Sequence, residues 1–202
     1  MLRAARLPER DQSRTKGAIA RRFVRRIDAW NGHIGRRRGA RVGTQTYLVA
    51  LGGNVRTKWG SPRHFLAKLI ECTSGQATVT GAAGIIETAS LLPGQRCYAN
   101  AVLAVQTDLA PPALLAQLKQ LERSHGRRRT RRWGPRPLDL DIIAWSGGIW
   151  TSSGLTIPHP AFRRRRFVLA PLAEIAPGWR DPVTGLTARQ LLARLDRRRP
   201  CP

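Results

Sequence analysis

The chain has 202 residues and is 42% hydrophobic, which suits one domain with a real core and argues against global disorder. No apolar run reaches the roughly 18 residues needed to span a bilayer, so a membrane-spanning role is not expected. The formal charge of +24, with 32 of 36 basic residues being Arg, implies an anionic partner: nucleic acid, a membrane surface or a phosphorylated small molecule. Arg forks onto phosphate oxygens in pairs, which fits phosphate handling, although a GC-rich coding sequence would produce the same excess. Cys72, Cys97 and Cys201 form no C-x-x-C pair and are odd in number, so a disulfide framework or zinc site is not expected and a cytoplasmic, reducing setting is the default.

Residues 1–45 carry 13 Lys/Arg against 3 Asp/Glu, with little apolar pattern. They read as an Arg-rich extension, disordered or upstream of the true start, and the domain is expected over 46–202. Thr46 opens it. Tyr47 to Leu51 is a short apolar run ended by Gly52-Gly53-Asn54, a buried strand and turn. Ser61-Pro62 supplies an N-cap and a first-turn proline for a helix with Phe65, Leu66, Leu69 and Ile70 on one face. Residues 77–88 and Tyr98 to Thr107 read as the next two strands. Pro111-Pro112 opens the clearest helix, with Leu114, Leu115, Leu118 and Leu121 as its stripe and Gly126 at its end. Leu138 to Trp145 reads as a strand, and Ile149-Trp150-Thr151 is expected to pair back on it as a hairpin. A helix is expected from Phe167 to Ile175, and another from Ala188 to Leu195, opened by the capping-box spacing of Thr187 and Gln190. The order βαββαβ is the ferredoxin-like pattern: an α+β fold with a mainly antiparallel sheet, helices on one face, and extra C-terminal strands and helices.

Asp139-Leu140-Asp141 is the most informative feature. On a strand, positions i and i+2 share a face with Cα atoms ~6.5–7 Å apart, so both carboxylates project together. Mg²⁺ takes such a pair plus substrate phosphates and water. A DxD alone is often the solvated face of a strand, but here seven arginines from Arg123 to Arg136 face no acid in that window. Carboxylates beside many guanidiniums make sense if phosphates lie between them. Trp133-Gly134-Pro135 gives the loop an aromatic anchor and two joints, suited to closing over a substrate. Thr156 to His159 and Arg163 to Arg166 form a second cluster, and four consecutive arginines cannot all face one ligand. Neither a G-x-x-x-x-G-K-[ST] loop nor a kinase Gly-rich loop is present, so ATP use requires another phosphate-binding design.

Arg132-Trp133-Gly134-Pro135-Arg136-Pro137-Leu138-Asp139-Leu140-Asp141-Ile142 closely resembles the signature R-W-G-P-R-[TS]-L-D-L-D-[IL] of the 6-hydroxymethyl-7,8-dihydropterin pyrophosphokinase family of folate biosynthesis. Ala50 to Asn54 resembles that family's A-L-G-S-N, and Tyr98 to Ala101 its Y-x-N-x. Glu122 to Arg127, Leu155 to Pro160 and Phe167 to Leu172 match further segments in order, so the resemblance covers about Thr46 to Leu195. It implies a ferredoxin-like domain using two Mg²⁺ and ATP, in which the pterin hydroxymethyl oxygen attacks the β-phosphorus and AMP leaves. By position, Asp139 and Asp141 would ligate both metals, and Arg127 and Arg136 would contact the phosphates from a mobile catalytic loop. Arg129, Arg132, Trp133, Thr156, His159 and Arg165 would line the ATP side, with Trp133 helping to seal the site. Tyr98 and Phe167 would sandwich the pterin ring, and Asn100 would bond its edge with backbone help around Thr88 and Leu91.

The sequence departs from that pattern at several points. Gly53 stands where the family has serine, Lys119 where a glutamine is common, and Pro137 where Thr or Ser is usual; the acid often found soon after Asn54 is missing, and the loop from Leu91 to Tyr98 is about one residue short. The expected partners are the two small substrates, with no membrane and a monomeric chain. The competing readings are a basic nucleic-acid-binding protein and an inactive scaffold on the same fold. Against the first, aromatics are only 6% and no RNA-recognition aromatic motif lies on the strands.

Overall fold

The computed structural model describes residues 43–72, 78–89, 97–127 and 135–197. Strand β1 (Gln45–Gly53) is central. It pairs antiparallel with β4 (Tyr98–Thr107) on one side and with β5 (Asp139–Trp145) on the other. Strand β2 (Thr78–Ala82) continues the sheet beyond β4, giving the order β2-β4-β1-β5. Strand β3 (Ile86–Thr88) pairs with the opposite end of β4. The stretch 77–88, expected as one strand, is therefore two. Ala83 turns its methyl into the core between them, and the Gly84 N–H is taken by the Glu174 carboxylate at 3.0 Å.

The apolar run in β1 is continuous because both faces of the sheet are covered. Tyr47, Val49 and Leu51 pack with Phe65, Leu66 and Leu69 of α1 (Pro62–Cys72) and with Leu114 of α2 (Pro111–Ser124). Leu48 packs the other way, with Val102, Ala104 and Ile143, against α3 (Arg166–Ile175) and α4 (Ala188–Arg197). The two helices of the βαββαβ core share one face, as expected, and the C-terminal helices add a layer on the opposite face. Each buried Leu or Phe in these layers stabilises the fold by about 1.5–3 kcal/mol.

The helix ends follow local chemistry. Ser61 Oγ accepts the His64 N–H at 3.3 Å at the start of α1. Gly126, at φ +87°, follows the end of α2, in a backbone region that side chains rarely adopt. At α4, Thr187 Oγ1 accepts the Gln190 N–H at 3.1 Å while Gln190 Oε1 accepts the Thr187 N–H at 2.9 Å. One expectation is corrected. Strand β6 (Trp150–Ser152) does not pair back on β5; it forms a hairpin with β7 (Leu155–Ile157). Behind β5 the chain makes only the bridge Trp145–Gly148, and the turn that carries the ladder is Ser153-Gly154, with Gly154 at φ +77°.

Candidate active site

Register builds the floor of the site. Asp139 lies opposite Gly52, and Gly52 lies opposite Asn100, so one row runs across three strands on the α3 side of the sheet. Two strand spacings separate Asp139 from Asn100 by roughly 10 Å. The next row is Asp141, Ala50 and Val102. Gly52 and Ala50 leave the middle of this floor without bulky side chains. At one end stand carboxylates; at the other, Asn100 donates its amide to Thr88 Oγ1 at 3.0 Å and shares a face of β4 with Tyr98.

Four basic side chains and one imidazole surround the carboxylates. Arg127 reaches Asp139 Oδ1 at 2.6 Å, and Arg136 reaches Oδ2 at 2.8 Å. Around Asp141, Lys119 Nζ stands at 4.0 Å, His159 Nε2 at 3.9 Å and Arg165 at 3.9 Å. Asp139 and Asp141 keep 28% and 32% of their side-chain surface exposed, so both remain within reach of a ligand. The Leu140 side chain between them points into the opposite core.

Helix α2 braces this arrangement from the sheet edge. Glu122 is 1% exposed and accepts the Leu140 N–H at 2.7 Å. Lys119 bonds Glu122 at 2.9 Å and the Leu140 carbonyl at 3.1 Å. Strand β5 is an edge strand, and these two side chains satisfy the outward backbone groups of the residue between the carboxylates. Arg127 also pairs with Glu122, linking the buried acid to Asp139. At the other end of the arginine loop, Asn54 bonds the Arg136 backbone twice: its side chain accepts the Arg136 N–H at 2.8 Å, and its own N–H donates to the Arg136 carbonyl at 3.0 Å.

The downstream cluster divides its work. The His159 N–H donates to the Ile143 carbonyl at 3.0 Å, fixing this segment to β5. Nδ1 of His159 accepts the Ala161 N–H at 3.1 Å, which turns Nε2 toward Asp141. Burial holds the imidazole below its ordinary value of 6.5, while the charge of Asp141 pulls the other way. Arg163 is tied to buried Asp181, Arg166 to Asp196 on the surface, and Arg164 is exposed, leaving Arg165 to face the carboxylates. The Arg165 guanidinium also lies 5.9 Å from the centre of the Phe167 ring, so it spans the space between the carboxylate end and the expected pterin end. Phe167 is half-buried against the α3 cluster, and Thr156 is exposed on β7.

The expected residues Thr88, Tyr98, Asn100, Arg127, Arg136, Asp139, Asp141, Thr156, His159, Arg165 and Phe167 fall within the described residues. Leu91, Arg129, Arg132 and Trp133 lie outside them, as does the short-loop departure, along with the extension over 1–42. Sequence reasoning missed three contributions: Asn54 as the holder of the Arg136 backbone, Glu122 as the buried brace, and Lys119 as a cation beside Asp141. The i, i+3 spacing of Lys119 and Glu122 on a helix otherwise striped with leucine was the one available signal for the last two.

Two carboxylates lie among four basic side chains and the His159 imidazole on the open face of an antiparallel α+β sheet, an arrangement that defines a phosphate-handling protein. The chain belongs to the 7,8-dihydro-6-hydroxymethylpterin-pyrophosphokinase (HPPK) family, whose sequence model matches residues 48–177. A 2-amino-4-hydroxy-6-hydroxymethyldihydropteridine pyrophosphokinase of Synechocystis sp. is 38% identical over 149 residues, 74% of this chain and 75% of the relative. A protein of the same name from Haemophilus influenzae is 40% identical over 132 residues, 65% of this chain and 81% of the relative. Among solved structures, the HPPK-DHPS of Plasmodium falciparum matches with a TM-score of 0.56 at 12% identity, over 75% of this chain and 42% of that one, a likeness of fold.

Proposed function

We propose that this face transfers a pyrophosphoryl group from ATP to 6-hydroxymethyl-7,8-dihydropterin, releasing AMP. A bond forms from the hydroxymethyl oxygen to the β-phosphorus as the bridge to the α-phosphorus breaks. The observation that carries the reading is the pairing of Asp139 and Asp141 with Lys119, Arg127, Arg136, His159 and Arg165, one strand away from a floor leading to Asn100. Family membership supports the same reaction.

Among the described residues no group of three or more His, Cys, Asp and Glu side chains could hold a metal ion, so they offer no closed metal cage. Two carboxylates on one face fit Mg²⁺, which takes one or two protein carboxylates and completes its shell with phosphates and water. In this reading Asp139 and Asp141 hold two such ions, which would neutralise the polyphosphate. Arg127 and Arg136 leave Asp139 for phosphate oxygens. Arg129, Arg132, Trp133, Thr156, His159 and Arg165 serve the nucleotide. Tyr98 and Phe167 hold the ring, and Thr88, Leu91 and Asn100 hold its polar rim. Little base strength is needed, because phosphoryl-type transfer rests on positioning and charge stabilisation. The proposal includes a monomeric cytoplasmic enzyme, with residues 1–45 outside the catalytic domain.

The test is AMP release by the purified protein with ATP, Mg²⁺ and hydroxymethyl-dihydropterin. Release that requires all three is expected. Absence of pterin-dependent AMP, or strong salt-sensitive RNA binding with no nucleotide site, would refute the reading.

A further inference from the structure

Gly53 and Pro137 are separated by 84 positions in sequence and meet at the exit of the arginine loop. A Cβ built on Gly53 would lie 2.5 Å from the Pro137 carbonyl oxygen and 3.7 Å from that of Arg136. The obstacle is backbone, which no rotamer change can move aside. To reach ordinary contact the Pro137 carbonyl would have to withdraw by roughly 1 Å. It has little freedom to do so. Asn54 bonds both the N–H and the carbonyl of Arg136, and Asn54 itself is 4% exposed. Proline at 137 fixes its own φ and confines the preceding Arg136 to extended backbone. From that backbone the Arg136 guanidinium reaches Asp139 at 2.8 Å.

We propose that Gly53 and Pro137 form a fitted seat on the end of β1, and that Gly53 is a positioning residue for Arg136. The missing side chain at 53 lets the loop exit lie directly on the strand. The proline keeps it there, so the guanidinium is delivered to the carboxylate end of the floor in one geometry. Gly53 touches no substrate; it acts through Arg136. Both positions are ones where this chain departs from the pattern it resembles, and the contact between them gives the two departures a common physical cause. A displacement near 1 Å of a charge-stabilising group can slow chemistry by as much as 100-fold.

The inference rests on Arg136 serving the chemical step, and the experiment separates the two ideas. Single-turnover rates, affinity for a non-hydrolysable ATP analogue with Mg²⁺, and thermal midpoints are measured for Gly53→Ser, Pro137→Thr, the double variant and Arg136→Ala. Gly53→Ser should slow the chemical step at least 10-fold while analogue affinity stays within about threefold. Pro137→Thr alone should slow the chemical step by a smaller factor, between about threefold and tenfold, because the exit loses its fixed backbone while Asn54 still bonds Arg136. In the double variant, the threonine frees the exit backbone and should recover at least threefold of the lost rate, a non-additivity expected of contacting residues. An unchanged rate in Gly53→Ser beside a slow Arg136→Ala overturns the seat alone. So does a strictly additive double variant, or a loss of analogue affinity equal to the loss of rate. A normal rate in Arg136→Ala overturns the seat together with the role given to Arg136. Should Gly53→Ser fail to fold, Asn54→Ala, which releases the Arg136 N–H from the same seat, decides the question by the same split of rate from affinity.

Discussion

Asp139 is held by two arginines, and they are not equivalent. Arg136 bonds Asp139 and no other carboxylate among the described residues, whereas Arg127 also pairs with Glu122, an acid 1% exposed. Both should stabilise charge that shifts toward the bridging oxygen, so Arg127→Ala and Arg136→Ala should each slow the chemical step by at least ~2 kcal/mol. Nucleotide affinity should change much less, because the remaining cations still hold the phosphates. Stability should separate the two. Arg127→Ala strips one partner from a buried carboxylate and should cost a further ~1 kcal/mol in urea unfolding, whereas Arg136→Ala should cost little. Equal urea midpoints for the two variants would show that Lys119 and the Leu140 N–H alone satisfy Glu122. Asp139→Ala and Asp141→Ala should abolish AMP release and leave the midpoint near that of the parent, since both carboxylates face the open side of the sheet. Near-normal turnover by either at saturating Mg²⁺ would exclude the shared metal role. The carboxylates and the flanking arginines were legible in the sequence because alternation on a strand fixes a face and an unpaired charge excess asks for a counter-charge. Asn54 was not, because it acts on the Arg136 backbone and backbone partners leave no mark in residue type; Glu122 and Lys119 left only their i, i+3 spacing as a signal.

Elements carry the second lesson, and Arg163 is the instructive case. Four arginines run from 163 to 166; Arg165 faces the site, while Arg163 and Arg166 are tied to other carboxylates and Arg164 is exposed. Asp181, fully buried, receives Arg163 Nε at 2.7 Å and Nη2 at 2.6 Å, the Thr184 hydroxyl at 2.6 Å and the Val183 N–H at 3.3 Å. Burial alone would raise this carboxyl. The bonds from Arg163, Thr184 and Val183, with the Arg163 charge, outweigh it, and the net position is below the ordinary 3.8. A folded-state pKa lowered in this way contributes stability that is fully present above the unfolded value and disappears as pH falls through the folded one. Asp181→Asn should therefore cost ~3 kcal/mol at neutral pH, the scale of breaking a buried pair. The gap to the parent should be constant above about pH 4 and close on acidification below 3.8. A gap that persists unchanged to lower pH would assign the cost to shape and not to charge. The helices, and the strands β4 and β5, were readable from caps, prolines and periodicity, whereas β1 runs on through Gly52 and Gly53, which read as a turn in the sequence. The β6 pairing was not: Ser146-Gly147-Gly148 and Ser153-Gly154 are both competent turns, and which one carries a ladder is decided by packing, with Trp150 set edge-on against Trp145 at 5.6 Å.

At the scale of the whole molecule, the described core begins only after a basic extension that carries ten of the 24 net positive charges. Both apolar clusters are built from residues between Tyr47 and Leu195, and β1 starts at Gln45. The 13 basic residues before Thr46 all lie within the first 41 positions, against three acids, so the chain from Gly43 onward still carries 23 Lys/Arg against 9 Asp/Glu. A protein starting at Gly43 would thus keep every described core residue and every described cation beside Asp139 and Asp141. Its thermal midpoint should stay within about 2 °C of the full chain, because no described apolar contact is lost. Its single-turnover rate at saturating substrates should be unchanged, because the groups that meet the phosphates are retained. Encounter with ATP is a different quantity. It depends on the summed field of the molecule, which a Debye length of about 10 Å at 0.1 M salt confines to the neighbourhood of the surface. Removing a net ten positive charges should therefore slow nucleotide association at low ionic strength and flatten its salt dependence, with the two proteins converging as salt rises. Stopped-flow binding of a fluorescent ATP analogue from 20 to 500 mM salt, beside single-turnover rates at saturation, reads both quantities. A several-fold loss of the saturated rate on truncation would show that the basic extension belongs to the active site; identical association rates at every salt would show that its charge does not act on the nucleotide.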